Sequence, residues 1–165
     1  MPAIVSIVGR SQTGKTTLIE KLIPELKLRG YRIGTIKHTH HALDIDKTGK
    51  DSARHRGAGA DTVILSAPGE MAMIKTGQPD GIEELVHFFD DMDLLITEGY
   101  KRSRQPKIEV VRTARNPVLC CQNDPNRPAV VSDAPVAVDV PHFGLDDIVR
   151  LADFIESSFW KAAHA

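Results

Sequence analysis

The sequence predicts an α/β fold in which a mostly parallel sheet carries helices on both faces, with a β-hairpin added. Three observations carry this reading. Nearly continuous, β-branched apolar runs such as Ala3-Ile4-Val5-Ser6-Ile7-Val8 have the pattern of strands buried on both faces. Segments with apolar residues at helical spacing alternate with such runs. Pro68-Gly69, between two short apolar runs, suits the central positions of a type II turn. At 165 residues the chain has the size of one domain, 1–165. Its 41% hydrophobic and 26% charged residues argue against disorder.

Taken in order, Ala3 to Val8 is a buried strand, broken by the stretch Gly9 to Gly14. Leu18, Ile19, Leu22, Ile23 and Leu26 then mark a helix over Lys15 to Arg29, with Pro24 expected to kink it and Gly30 to stop it. Tyr31 to Lys37 reads as a second strand, residues 38–50 as a polar loop, and Asp51 to Ala58 as a short helix. Thr62 to Leu65 and Met71 to Ile74 pair across Pro68-Gly69. Ile82, Leu85, Val86 and Phe89 share a helical face, and Asp93 to Thr97 is a third buried strand. Lys107 to Val111, Val118 to Cys121 and Ala129 to Val131 read as strands, and Leu145 to Trp160 as an amphipathic helix.

Composition excludes several functions. Lys plus Arg number 21 and Asp plus Glu 22, a net charge of −1, which argues against a general nucleic-acid or anionic-membrane binder. No apolar run reaches the ~18 residues of a membrane-spanning helix. The apolar start is short and lacks a preceding basic region, so a signal peptide is not expected. Cys120 and Cys121 are adjacent, and strand neighbours point to opposite faces, so no disulfide is expected between them. A reducing cytoplasm is the expected compartment.

Gly9-Arg10-Ser11-Gln12-Thr13-Gly14-Lys15-Thr16 matches G-x-x-x-x-G-K-[ST] in full, directly after a buried strand and directly before an amphipathic helix. The glycines allow a tight turn that brings backbone N–H groups to phosphate oxygens, and the helix N-terminus adds its dipole. Lys15 is expected to neutralise β- and γ-phosphate charge, and Thr16 to offer its hydroxyl to Mg2+. Such a site needs an acidic residue at the carboxyl end of a neighbouring strand; Glu98 is better placed than Asp93. If hydrolysis is the chemistry, Asp46 and Glu98 are the candidates for positioning water, beside Lys15.

Other segments leave two readings each. Asp44 or Asp46 could reach the Mg2+ or position water, and His38, His40 and His41 suit a transition metal or a plain polar loop. Lys50 and its neighbours Gly49, Asp51 and Ser52 suit an anion at a helix start or a solvated face. Lys101, Arg102, Arg104 and Lys107 could clamp a second anionic group, as could Lys37 and His38, or they form a solvated loop.

The phosphate loop with Thr17, the segment Gly34-Thr35-Ile36-Lys37-His38-Thr39-His40-His41, the run Asp46 to Ala60 and Thr97-Glu98-Gly99-Tyr100-Lys101 together resemble the molybdopterin-guanine dinucleotide biosynthesis protein B (MobB) family. The resemblance spans about residues 3 to 110. It implies a GTP-binding P-loop NTPase fold, a homodimer, weak Mg2+-dependent GTPase activity and a cytoplasmic adapter role. The implied partner is the nucleotidyltransferase that joins GMP to molybdopterin, with molybdopterin or the molybdenum cofactor as a further ligand. Carried over, Gly9, Gly14, Lys15, Thr16 and Thr17 match the phosphate-binding loop and Glu98 the acidic residue ending the third core strand. The hairpin is implied to serve dimer contact. The chain has no Asn-Lys-x-Asp guanine box; Asn123-Asp124 and Ser132-Asp133 fall in that late part of the chain. Two other readings compete. One is a small-molecule kinase with residues 101–107 as a basic lid, and the other a metallochaperone GTPase using the histidines.

Overall fold

The computed structural model describes residues 1–41, 43, 49–77 and 80–160. It comprises β1 (Ala3–Val8), α1 (Lys15–Leu28), β2 (Ile33–Lys37), α2 (Asp51–Gly57), β3 (Thr62–Ala67) and β4 (Glu70–Lys75). Then come α3 (Ile82–Leu85), continued as a 3-10 turn Val86–Phe89, β5 (Leu94–Glu98), β6 (Lys107–Val111), β7 (Ala129–Ser132), β8 (His142–Gly144) and α4 (Ile148–Ile155). The chain divides into two compact units, one of residues 1–38 and 82–165, the other of residues 39–81.

The first unit is built on a six-stranded sheet in the order β2-β5-β1-β6-β7-β8. Every neighbouring pair in it is parallel. β1 and β5, the two strands that end in candidate site residues, lie side by side with Ile7 opposite Glu98. Alternation then sorts the side chains. Ala3, Val5, Ile7, Leu94, Ile96, Ile108, Val110, Ala129 and Val131 point to one face and pack with Leu18, Leu22 and Leu26 of α1 and Leu151, Ala152 and Ile155 of α4. On the other face the 3-10 turn covers β2: a Cβ on Gly34 would lie 2.3 Å from the Phe89 ring, so only glycine lets that ring down onto the sheet. Helical turns therefore flank both faces, as expected of a P-loop α/β fold. Ser6 and Thr97 are buried between β1 and β5, and the Thr97 hydroxyl donates to Ser6 Oγ at 2.8 Å, so neither is an unpaired polar group.

α1 begins after Gly14 in a left-handed conformation and runs through Pro24, which sits on its exposed side. Arg32 fastens the opposite edge of the sheet: its backbone N–H and guanidinium donate to the Asp93 carboxylate at 2.8–3.2 Å. In the second unit β3 and β4 form the expected antiparallel hairpin, with Gly69 at φ +83 in its turn.

Three sequence expectations fail. Val118–Cys121 is not a strand; the Cys120 and Cys121 N–H groups donate to the buried carboxylate of Glu109 instead of to a ladder. The helix read over 145–160 is regular only from Ile148 to Ile155 and ends in a wider turn at Glu156–Trp160. β8 was not anticipated, because three residues carry no periodicity.

Candidate functional site

The carboxyl end of β1 opens into the loop Gly9–Gly14, whose backbone needs glycine at two points. Gly9 has φ +146, and a Cβ there would lie 2.4 Å from the backbone oxygen of Val110 and 2.9 Å from Thr13 Oγ1. Gly14 has φ +94 at the start of α1. Gln12 also takes a positive φ, +61, so the loop holds a strained non-glycine residue at its apex. Thr13 is buried, and its hydroxyl donates to the Arg10 carbonyl at 3.0 Å, closing the turn from inside. Arg10 and Ser11 are exposed on its rim, and Thr17 is exposed in the first turn of α1.

Lys15 reaches back over this loop, and its Nζ donates to the Arg10 carbonyl at 2.7 Å. Burial pushes the Lys15 ammonium below its ordinary range. The Glu98 carboxylate opposes that shift, while the positive charges of Lys101 and Lys37 add to it. Thr16, one residue on, donates its hydroxyl to both Glu98 oxygens, at 3.0 and 3.1 Å. Two residues 82 positions apart are thus in contact where β1 and β5 end together. Lys37 Nζ, ending β2, lies 3.7 Å from Glu98 Oε2.

Gly99 and Tyr100 both have positive φ, +110 and +54, which turns the chain sharply after Glu98. A Cβ on Gly99 would come 3.2 Å from His38 Cβ. The His38 and Tyr100 rings stack with centroids 4.6 Å apart. Lys101 and Arg102 follow on the surface.

Two arginines that the sequence reading missed complete the loop's surroundings. Arg112 Nε donates to the Thr13 carbonyl at 3.2 Å, and Arg115 Nη1 to Gln12 Oε1 at 2.9 Å. Both follow β6, which lies beside β1 in space although about 100 residues later in sequence.

The basic stretch 101–107 is not one cluster. Lys107 is fully buried at the start of β6, where its Nζ donates to the Ser103 and Gln105 carbonyls and pairs with Asp124 at 3.0 Å. It anchors the segment and cannot act as part of a moving lid. Lys107→Ala is expected to destabilise the first unit by about 3 kcal/mol, because it strands a paired carboxylate; a shift of the urea midpoint reads this. The same pairing occupies Asp124, whereas Asp133 lies at the carboxyl end of β7 and accepts from the Thr113 N–H and hydroxyl, both at 2.8 Å.

In the second unit Lys50 stands exposed immediately before α2. Asp44 and Asp46 lie outside the described residues. Among the described residues, His38, His40 and His41 do not gather into a three-ligand metal cluster.

The family profile described as "Molybdopterin guanine dinucleotide synthesis protein B" matches residues 4–133. The chain is 40% identical to a molybdopterin-guanine dinucleotide biosynthesis adapter protein of Haemophilus influenzae, covering 93% of this chain and 88% of that one. It is 39% identical to the adapter protein of the same name from Escherichia coli, covering 94% and 92%. Among solved structures, one described as molybdopterin-guanine biosynthesis protein B superposes with a TM-score of 0.76 at 31% identity, over 93% of this chain and 98% of that one. A Bacillus subtilis MobB structure also gives 0.76, at 27% identity over 95% and 98%.

Proposed function

The chain belongs to the molybdopterin guanine dinucleotide synthesis protein B family, and from that premise we propose that it is a cytoplasmic GTP-binding adapter in the formation of molybdopterin guanine dinucleotide. In this reading it assists the nucleotidyltransferase that joins GMP to molybdopterin, and it works as a single nucleotide-binding domain. The observation that carries the nucleotide half is the Thr16–Glu98 contact beside Lys15. A hydroxyl and a carboxylate are the hard oxygen ligands that Mg2+ prefers, and they already converge at the head of the phosphate loop. Bound there, Mg2+ would offset charge on the β- and γ-phosphates of GTP. The N–H groups from Gly9 to Thr17 would hold phosphate oxygens, and Lys15 would exchange its bond to the Arg10 carbonyl for one to a phosphate.

Hydrolysis in this reading is slow. Glu98 and Asp46 are the candidates for orienting water. Lys37, His38, Lys101 and Arg102 are proposed to meet a second anionic group, molybdopterin or the molybdenum cofactor, and Lys50 is proposed separately as an anion contact of the second unit. Glu98→Gln is expected to remove most of the Mg2+-dependent gain in GTP affinity, a loss of about 2 kcal/mol. Binding measured in EDTA should change little. Equal Mg2+ dependence in the variant would remove Glu98 from the metal site.

The homodimer is supported by the hairpin. Ile64, Met71 and Met73 share one face of β3–β4 and are 56%, 68% and 37% exposed, large apolar side chains gathered on a small surface. The double variant Ile64→Glu, Met71→Glu is expected to run as a monomer in light scattering where the natural chain runs as a dimer. The adapter role itself is tested by reconstitution. Purified transferase, GTP and molybdopterin should yield more guanine dinucleotide with this chain added than without it; an unchanged yield contradicts the role.

A further inference from the structure

We propose that Glu109, Cys120 and Cys121 form a binding site for one thiophilic divalent ion of the Zn2+ class. The site lies on the sheet face away from α1 and α4. Glu109 pairs in register with Val8, the residue before the phosphate loop. It is buried to 1% exposure, and its carboxylate accepts the N–H groups of both cysteines. The carboxylate thereby grips the backbone that carries both thiols. One ligand atom from each of the three residues lies within 4.8 Å of the other two.

The spacing suits a metal. A tetrahedral ion bound to two thiolates at about 2.3 Å holds the sulfurs about 3.8 Å apart. Here the two Sγ atoms are 3.9 Å apart and no disulfide joins them. Each carboxylate oxygen that accepts one N–H still has a second lone pair to offer. Cys120 is only half-buried, which gives an ion a route in and leaves a fourth position for solvent.

The charges also fit. A divalent ion with two thiolates and a carboxylate leaves one negative charge, and the buried guanidinium of Arg127 stands 3.9 Å from Glu109 Oε2 to balance it. Binding releases the thiol protons to solvent and needs no oxidant. Two soft sulfurs favour zinc over Mg2+, so this site is distinct from Thr16 and Glu98.

The full chain, reduced and stripped with chelator, is titrated with Co2+ and then Zn2+. Thiolate-to-cobalt charge-transfer absorption reports sulfur ligation, and elemental analysis after dialysis reports zinc stoichiometry. The expected result is one ion per chain with the charge-transfer band. Cys120→Ser, the milder change at the half-buried position, and Cys121→Ser should each abolish the band and weaken zinc by about 100-fold or more. GTP binding is measured in parallel and should persist in Cys120→Ser, so failure of this site and failure of the nucleotide reading are separable. Absence of the band overturns the proposal. So does stoichiometric zinc that survives both cysteine variants, as ligation by His38, His40 and His41 would give.

Discussion

Lys15→Ala is expected to lower GTP affinity roughly 100-fold while the protein stays folded. The size follows from what the ammonium does. It is the cation carried at the head of the loop, partly withdrawn from water, and its bond to a phosphate would be charge-assisted and worth about 3 kcal/mol. Its present hydrogen bond is to a loop carbonyl, Arg10, at 2.7 Å. Removing the side chain frees that carbonyl on an exposed rim, where water replaces the ammonium, so the melting temperature should barely move. Burial already pushes the Lys15 ammonium below its ordinary range despite Glu98, so an arriving phosphate relieves a cost that the free protein bears. Unchanged GTP affinity in this variant contradicts the phosphate-loop assignment.

The second large effect is on the loop itself. Gly9→Ala places a Cβ 2.4 Å from the Val110 backbone oxygen and demands φ +146 of a residue with a side chain. The obstructing atom belongs to β6, in the middle of the sheet, and cannot swing aside as a side-chain tip would. Backbone strain and overpacking together are expected to cost about 2–5 kcal/mol. Either β1 and β6 separate or Gly9 leaves its conformation, and in both cases the N–H groups of the loop lose their aim. The variant should therefore show a lowered urea midpoint and lost nucleotide binding together. Gly14→Ala makes a useful contrast. Its Cβ would meet only the Arg112 guanidinium at 3.4 Å, so its penalty is mostly conformational.

What could be read in advance depended on how local the signal was. The phosphate loop is one contiguous motif between a strand and a helix, and its residues sit together in the fold as the motif requires. Glu98 is expected at the loop because buried parallel strands end at the ligand edge, and the structure places it there, with β5 beside β1 and its carboxylate accepting from Thr16. Arg112 and Arg115 were not legible. Their place beside the loop depends on β6 lying next to β1, and no periodicity in sequence encodes strand order. Lys107 was misread for a related reason. Four basic residues in seven suggest a surface cluster, and only the three-dimensional structure shows one of them sealed under its own loop with Asp124. Val118–Cys121 has strand-like residues, but its N–H groups are taken by a carboxylate, a side-chain competitor that propensity does not count.

The chain lacks the Asn-Lys-x-Asp box and offers Asp133, already engaged by Thr113, at the appropriate sheet edge. Titration calorimetry of the purified protein with GTP and with ATP, each with Mg2+, measures the guanine preference of the phosphate loop. The expected result is one site per chain with GTP bound about tenfold or more tighter than ATP, a difference of about 1.4 kcal/mol. Equal affinity for the two, or a preference for ATP, would contradict it.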